Sequence, residues 1–144
     1  MGQFHKAEFK PVNENKYIGK TPIIFRSSWE LSMMRVLDAH PSVLQWSSES
    51  ISIPYRNPLT GRWSMYIPDF MIIYMDKTNK KHCEIVEIKP AKEVPGYTKK
   101  RLDERAKLAQ AINAAKWSAA LEFCLKRGWK FRVATERELY GYKV

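Results

Sequence analysis

The run Phe70-Met71-Ile72-Ile73-Tyr74-Met75 constrains the fold of this chain more than any other feature. Side chains alternate between the two faces of a strand, so six consecutive apolar residues need cover on both. A central strand of a layered fold meets that need. A polar turn, Asp76 to Lys81, follows, and a second strand runs from His82 to Lys89, stopped by Pro90. Its end reads Ile85-Val86-Glu87-Ile88-Lys89-Pro90. Glu87 and Lys89 are two apart and project from one face, while Val86 and Ile88 take the other. Charges in a buried strand are costly unless they are paired or bound to a cation.

The other elements fall around these two strands. Residues 1–22 are polar and read as an irregular basic arm packed over the domain, and 23–144 read as one domain. From Ser27 to about Ala39, Trp29, Met33, Val36 and Leu37 recur at helical spacing, and Pro41 closes the helix. Ile51, Ile53 and Tyr55 alternate with polar residues. Asn57-Pro58-Leu59-Thr60-Gly61 is a turn signal, and a return strand from Trp63 through Ile67 completes a hairpin. A lysine-rich loop spans 91–100. A long helix is predicted over about 99–126, with Asn113 as a candidate break and Gly128 as its stop. Lys130–Ala134 reads as a last strand, and Thr135 to Glu138 as a capping box opening a short terminal helix. The order implies an α/β or α+β sandwich with a mixed central sheet flanked by helices.

Charge narrows the function. Among 144 residues, 25 Lys and Arg against 15 Asp and Glu leave a net charge of +10. That excess suits a nucleic-acid binder, and equally some other anionic surface. No apolar run approaches the ~20 residues of a membrane helix, and the N-terminus has no apolar signal region. Cys83 and Cys124 lack a partner at metal-binding spacing, and His5, His40 and His82 are scattered, so a zinc site is not expected. Both thiols read as small buried hydrophobes in a reducing cytoplasm.

If the strand beginning at Asp69 lies beside the one bearing Glu87 and Lys89, two carboxylates and an ammonium meet at one spot. Carboxylate oxygens are hard ligands suited to Mg²⁺, with Mn²⁺ as a substitute. Such a metal neutralises a scissile phosphate and helps activate water, and the lysine steadies developing negative charge. A lone Glu-x-Lys is ordinarily a solvent-facing pair on an edge strand, and Asp69 alone a turn cap. The combination of Pro-Asp-apolar run, polar turn and apolar-Glu-apolar-Lys-Pro is what favours chemistry. Glu30 stays open: Ser27-x-x-Glu30 fits a capping box, and the same carboxylate fits a third metal ligand on the helix. Arg26, Lys92, Lys99, Lys100 and Arg101 are weaker candidates for contacts to DNA backbone. Tyr55, Trp63 and Tyr66 read as core and cross-strand packing rather than base-stacking platforms.

At these residues the sequence resembles the TnsA-type endonucleases of the PD-(D/E)xK class. The resemblance lies in Phe25-Arg26-Ser27-Ser28-Trp29-Glu30, Ile67-Pro68-Asp69-Phe70 and Val86-Glu87-Ile88-Lys89-Pro90. It continues through Lys116-Trp117, Cys124, Gly128-Trp129 and Thr135-Glu136. Asn-Lys-Tyr at 15–17 and Ile-Pro-Tyr-Arg-Asn-Pro at 53–58 look closest to the head-completion nucleases of myovirus-type tailed phages. The resemblance implies a restriction-endonuclease-like fold and an active centre of Glu30, Asp69, Glu87 and Lys89. It further implies Mg²⁺, DNA as substrate, and action in the infected bacterial cytoplasm or on the virion, with portal or other head and neck proteins as partners. The rival reading is a structural head or neck protein that keeps the fold without the chemistry.

Overall fold

A computed structural model describes residues 7–94 and 101–136. Its centre is a four-stranded sheet of β3 (Val43–Ser48), β6 (Phe70–Met75), β7 (Lys81–Ile88) and β8 (Lys130–Ala134), in the order β3-β6-β7-β8. The first three strands run antiparallel and β8 lies parallel to β7, so the sheet is mixed. The two strands expected to be central on apolarity are the two inner strands. A parallel neighbour needs a long crossover. Helix α2 (Glu104–Arg127) provides it between β7 and β8.

Helix α1 (Ser28–Ala39) starts where the sequence indicates: Ser27 caps it, its Oγ accepting the Glu30 N–H at 3.1 Å. Met33, Met34 and Leu37 are buried against Trp46, Ile72 and Val86 of the sheet. Helix α2 is capped by Asp103, whose carboxylate accepts the Ala106 N–H at 2.8 Å. It runs unbroken through Asn113, because one asparagine costs only a few tenths of a kcal/mol in a helix whose face is packed. It ends at Gly128, whose φ of 70° few other residues adopt without strain.

Three parts differ from the sequence expectation. Strand β3 was not anticipated: its backbone shifts register between Val43 and Gln45, which breaks the alternation that marks a strand. The hairpin of β4 (Ile53–Arg56) and β5 (Trp63–Tyr66) forms, but as its own two-stranded sheet rather than part of the central one. Pro68, which has no N–H to donate, separates it from β6. The N-terminal arm is not irregular throughout. Its β1 (Ala7–Phe9) pairs with β2 (Ile23–Phe25), and Phe9 enters the core. Beyond β1, the buried Asp38 carboxylate accepts the Val12 and Asn13 N–H groups at 2.9 and 3.0 Å, tying the arm to the end of α1. The short terminal helix opening at Thr135 falls mostly outside the described residues.

Candidate active site

Glu87 faces Asp69 because of strand register. β6 and β7 pair Phe70 with Val86 and Met71 with Ile85, so the next rung sets Asp69 opposite Glu87. Asp69 precedes the first residue of β6, and its Oδ2 accepts the Ile88 N–H at 2.7 Å. That bond pins the carboxylate to β7 one residue past Glu87. Val86 and Ile88 join the α1-side core, so Glu87 lies on the opposite face, toward Tyr66 and α2. Lys89 follows the strand end, its N–H donating to Ala134 O at 3.0 Å.

The electrostatics are those of crowded acids. Burial, then the charge of Glu87, pushes the Asp69 carboxyl up to about 7, although the Ile88 N–H pulls the other way. Glu87 is only 8% exposed. Burial raises its pKa too, opposed by the positive charge of Lys89 and by Tyr66 and Asp69. Glu87 Oε1, the Tyr66 hydroxyl and Trp117 Nε1 are all buried without a hydrogen-bond partner. The Tyr66 hydroxyl is held in its protonated form by burial and then by Glu87. These groups sense one another without closing a hydrogen bond. Two opposed hard carboxylates, one with an orphaned buried oxygen, are a donor set that fits a divalent cation. Among the described residues, no three His, Cys, Asp or Glu side chains are gathered closely enough to form a three-ligand set.

Glu30 sits at the edge of this pair. Its carboxylate accepts the Arg26 N–H at 3.2 Å while its own N–H is capped by Ser27, so the capping geometry is realised. Its pKa is raised, first by burial and next by the negative charge of Asp69. Glu30 is thus within electrostatic range of Asp69 without joining a three-carboxylate cluster. The physical reason is the side of the sheet: α1 packs on the face that carries Val86 and Ile88, opposite Glu87.

Residues 40–136 match the family model described as TnsA-like endonuclease N terminal. The chain belongs to the TnsA-like endonuclease family. Over 150 aligned residues it is also 34% identical to the Head completion nuclease of Enterobacteria phage T4, covering 96% of this chain and 97% of that protein. The TnsA-like span includes Asp69, Glu87 and Lys89, while Glu30 precedes it.

Around these acids the weaker sequence candidates separate. Arg26 is an exposed cation whose guanidinium is ion-paired with Glu49. Lys92 and Arg101 are exposed, and Lys99 and Lys100 lie outside the described residues. Sequence reasoning missed Glu49 and the part played by Tyr66. Glu49 has a φ of 49°, its N–H donates to Asp69 O at 2.9 Å, and its charge raises the pKa of both Asp69 and Glu30. No periodicity marks a residue in a left-handed bend. Tyr66 was assigned to the core, where its ring does lie. Its position three residues ahead of Asp69, on a strand leading into the motif, was the available signal.

Proposed function

We propose that this chain is a divalent-metal-dependent DNA endonuclease that acts when a phage head is completed. The observation that carries the reading is the Asp69–Glu87 pair, opposed across β6 and β7, with the Lys89 charge beside it, inside the span that matches the TnsA-like endonucleases. The full-length similarity to a phage protein named Head completion nuclease supports the setting. Portal or other head and neck proteins would be its neighbours, in the host cytoplasm or on the virion.

Asp69 and Glu87 would hold the cation, Mg²⁺ or Mn²⁺, with Glu30 as a further acid at the rim. When bound, the metal supplies charge neutralisation at the scissile phosphate and a more acidic water. The protein's own contributions are separable. The Ile88 N–H fixes the direction of the Asp69 carboxylate. Lys89 favours the ionised form of Glu87 and offers an ammonium to the charge that develops on phosphorus. The Arg26 N–H and the Ser27 cap hold Glu30 at the start of α1.

Plasmid nicking with Mg²⁺ or Mn²⁺, beside a Lys89→Ala control, tests the reading. Cleavage by the wild type and its loss in the variant are expected. A folded wild type that cuts no DNA under either metal would hand the lead to the structural head or neck protein.

A further inference from the structure

The β4–β5 hairpin has two unlike faces. Ile53, Tyr55 and Tyr66 are buried against α2. On the other face Trp63, Met65 and Ile67 follow one another at two-residue spacing and are 71%, 56% and 51% exposed. Across the ladder from them stand Arg56, opposite Trp63, and Pro54, opposite Met65, both exposed. A tryptophan, a methionine and an isoleucine in one exposed row are costly to leave in water without a partner.

Two observations say what that partner is. The first is charge. From Ser50 through Pro68 the chain has no acidic residue and no lysine, only Arg56 and Arg62. Beside the hairpin, the groove toward α2 adds Lys126 and Arg127 to Arg56 and Trp63, with Glu122 its one acid among the described residues. The second is continuity with the candidate active site. Ile67 is two residues from Asp69, and Trp63 six residues from it. At ~3.3 Å per residue the row reaches at most roughly 20 Å from the carboxylates, the rise of about six nucleotides. A polyanion whose backbone enters the Asp69–Glu87 site is therefore long enough to reach this hairpin. Its phosphates suit the arginines. The apolar row has nothing to offer a phosphate and suits base faces, which duplex stacking hides.

We propose that the outer face of the β4–β5 hairpin, centred on Trp63, Met65 and Ile67, contacts bases and selects DNA whose bases are unstacked beside the cut: a gap, a branch or a frayed end. The proposal rests on the endonuclease reading above and adds the form of the substrate to it.

The test measures binding first, in EDTA, by fluorescence anisotropy at fixed salt. Two labelled duplexes are compared, one intact and one interrupted by a single-stranded gap of six nucleotides. The wild type should bind the gapped duplex more tightly. Trp63→Ala and Met65→Ser should each weaken binding to the gapped duplex, by about tenfold for the tryptophan, and to the intact duplex by less than about twofold. Trp63→Phe, which keeps an aromatic face, should retain most of the preference. Circular dichroism checks that these surface variants stay folded. Equal affinity of the wild type for both duplexes, or equal losses on both in the variants, overturns the proposal. So does a wild-type dimer in sedimentation that Met65→Glu converts to monomer, because a second copy would then occupy the face. Adding Mg²⁺ afterwards separates the two claims. Preference without cutting sinks the nuclease reading and leaves this one standing; cutting without preference does the reverse.

Discussion

The two faces of the central sheet are built to different ends. The α1 face carries Trp46, Phe70, Ile72, Val86 and Ile88, closed by Met33, Met34 and Leu37 and sealed by Phe9, Ile23 and Phe25 of the first strand pair. Trp46 there meets Phe9, Tyr17 and Phe70 at ring-centroid distances of 6.0, 4.8 and 6.2 Å. The α2 face is thinner. Ile53, Tyr55, Tyr66 and Ala120 form its buried cluster, and it borders Glu87. Both cores hold an indole N–H without a partner, at Trp46 and Trp117, but among the described residues only the α2 side adds a partnerless phenol and carboxylate oxygen. Hydrophobic burial on one face stabilises the fold. That surplus lets the other face keep ionisable groups in a setting that raises their pKa, a pattern expected where groups are poised for chemistry.

The comparison breaks most visibly if the charged end of the α2 face proves dispensable. Asp69→Ala and Lys89→Ala should each lower cleavage by a hundredfold or more, while DNA affinity changes little. Removing Asp69 takes a negative charge away from a phosphate, and removing Lys89 takes one cation from many. Filter binding and plasmid nicking at one salt concentration measure both. Folded variants that still cut at the wild-type rate would move the active site elsewhere. On the α1 face the expected loss is stability instead. Leu37→Ala should cost about 2–5 kcal/mol in urea unfolding, because it truncates a side chain that is buried against Met33 and Ile72. A cost under about 1 kcal/mol would show that this face is not the stabilising one.

How far the sequence announced this division depends on range. β6 was legible because its apolar residues leave no polar face, and β7 because Val86 and Ile88 alternate with Glu87 and Lys89; antiparallel pairing then sets Asp69 against Glu87. Glu30 was half legible: Ser27 and Glu30 fix the cap locally, whereas the approach to Asp69 depends on how α1 crosses the sheet. β3 was hidden by its register shift, and β1 by a lone buried phenylalanine in a polar arm. Tyr66 and Glu49 were not legible as site residues. The neighbours of the Tyr66 hydroxyl are set by the docking of the hairpin on α2, and Glu49 comes to Asp69 and Arg26 through a bend with no sequence period. Exposed Trp63, assigned to packing, departs from that reading because the hairpin stands apart from the central sheet, with only one face covered.

A smaller effect sharpens the contrast through pH. Asp69 has a folded pKa of about 7 against 3.8 for the free group. A raised acid binds its proton more tightly when folded, so its contribution to stability is complete below about pH 4 and is lost as pH rises toward 7. Asp69→Asn keeps an oxygen for the Ile88 N–H but cannot ionise. In EDTA it should therefore match the wild type near pH 4 and exceed it by about 1–4 kcal/mol at pH 8. Thermal unfolding of both proteins across that range is the measurement. A difference that stays flat with pH would mean that Asp69 ionises freely and that the site is not the crowded one described.

The smallest effect belongs to Tyr66. Its hydroxyl is buried without a hydrogen-bond partner, so Tyr66→Phe removes a polar group that folding leaves unsatisfied and retains the ring that packs against α2. Stability should change by no more than about 1 kcal/mol in either direction. The hydroxyl nonetheless faces Glu87, and a hydrogen bond donated from it would favour the ionised form of that carboxylate. Without it, Glu87 holds its proton to higher pH, and the acid limb of the cleavage pH profile should move in the alkaline direction, since only an ionised Glu87 serves a cation. A purely structural Tyr66 would leave that limb where it was, and a shift toward acid would mean that the phenol opposes the charge on Glu87. The profile is read from initial nicking rates of wild type and variant at saturating Mg²⁺, with Lys89→Ala as the inactive baseline. Because the fold is nearly untouched, this variant tests whether the α2 face tunes its acids through a neighbour that touches no substrate.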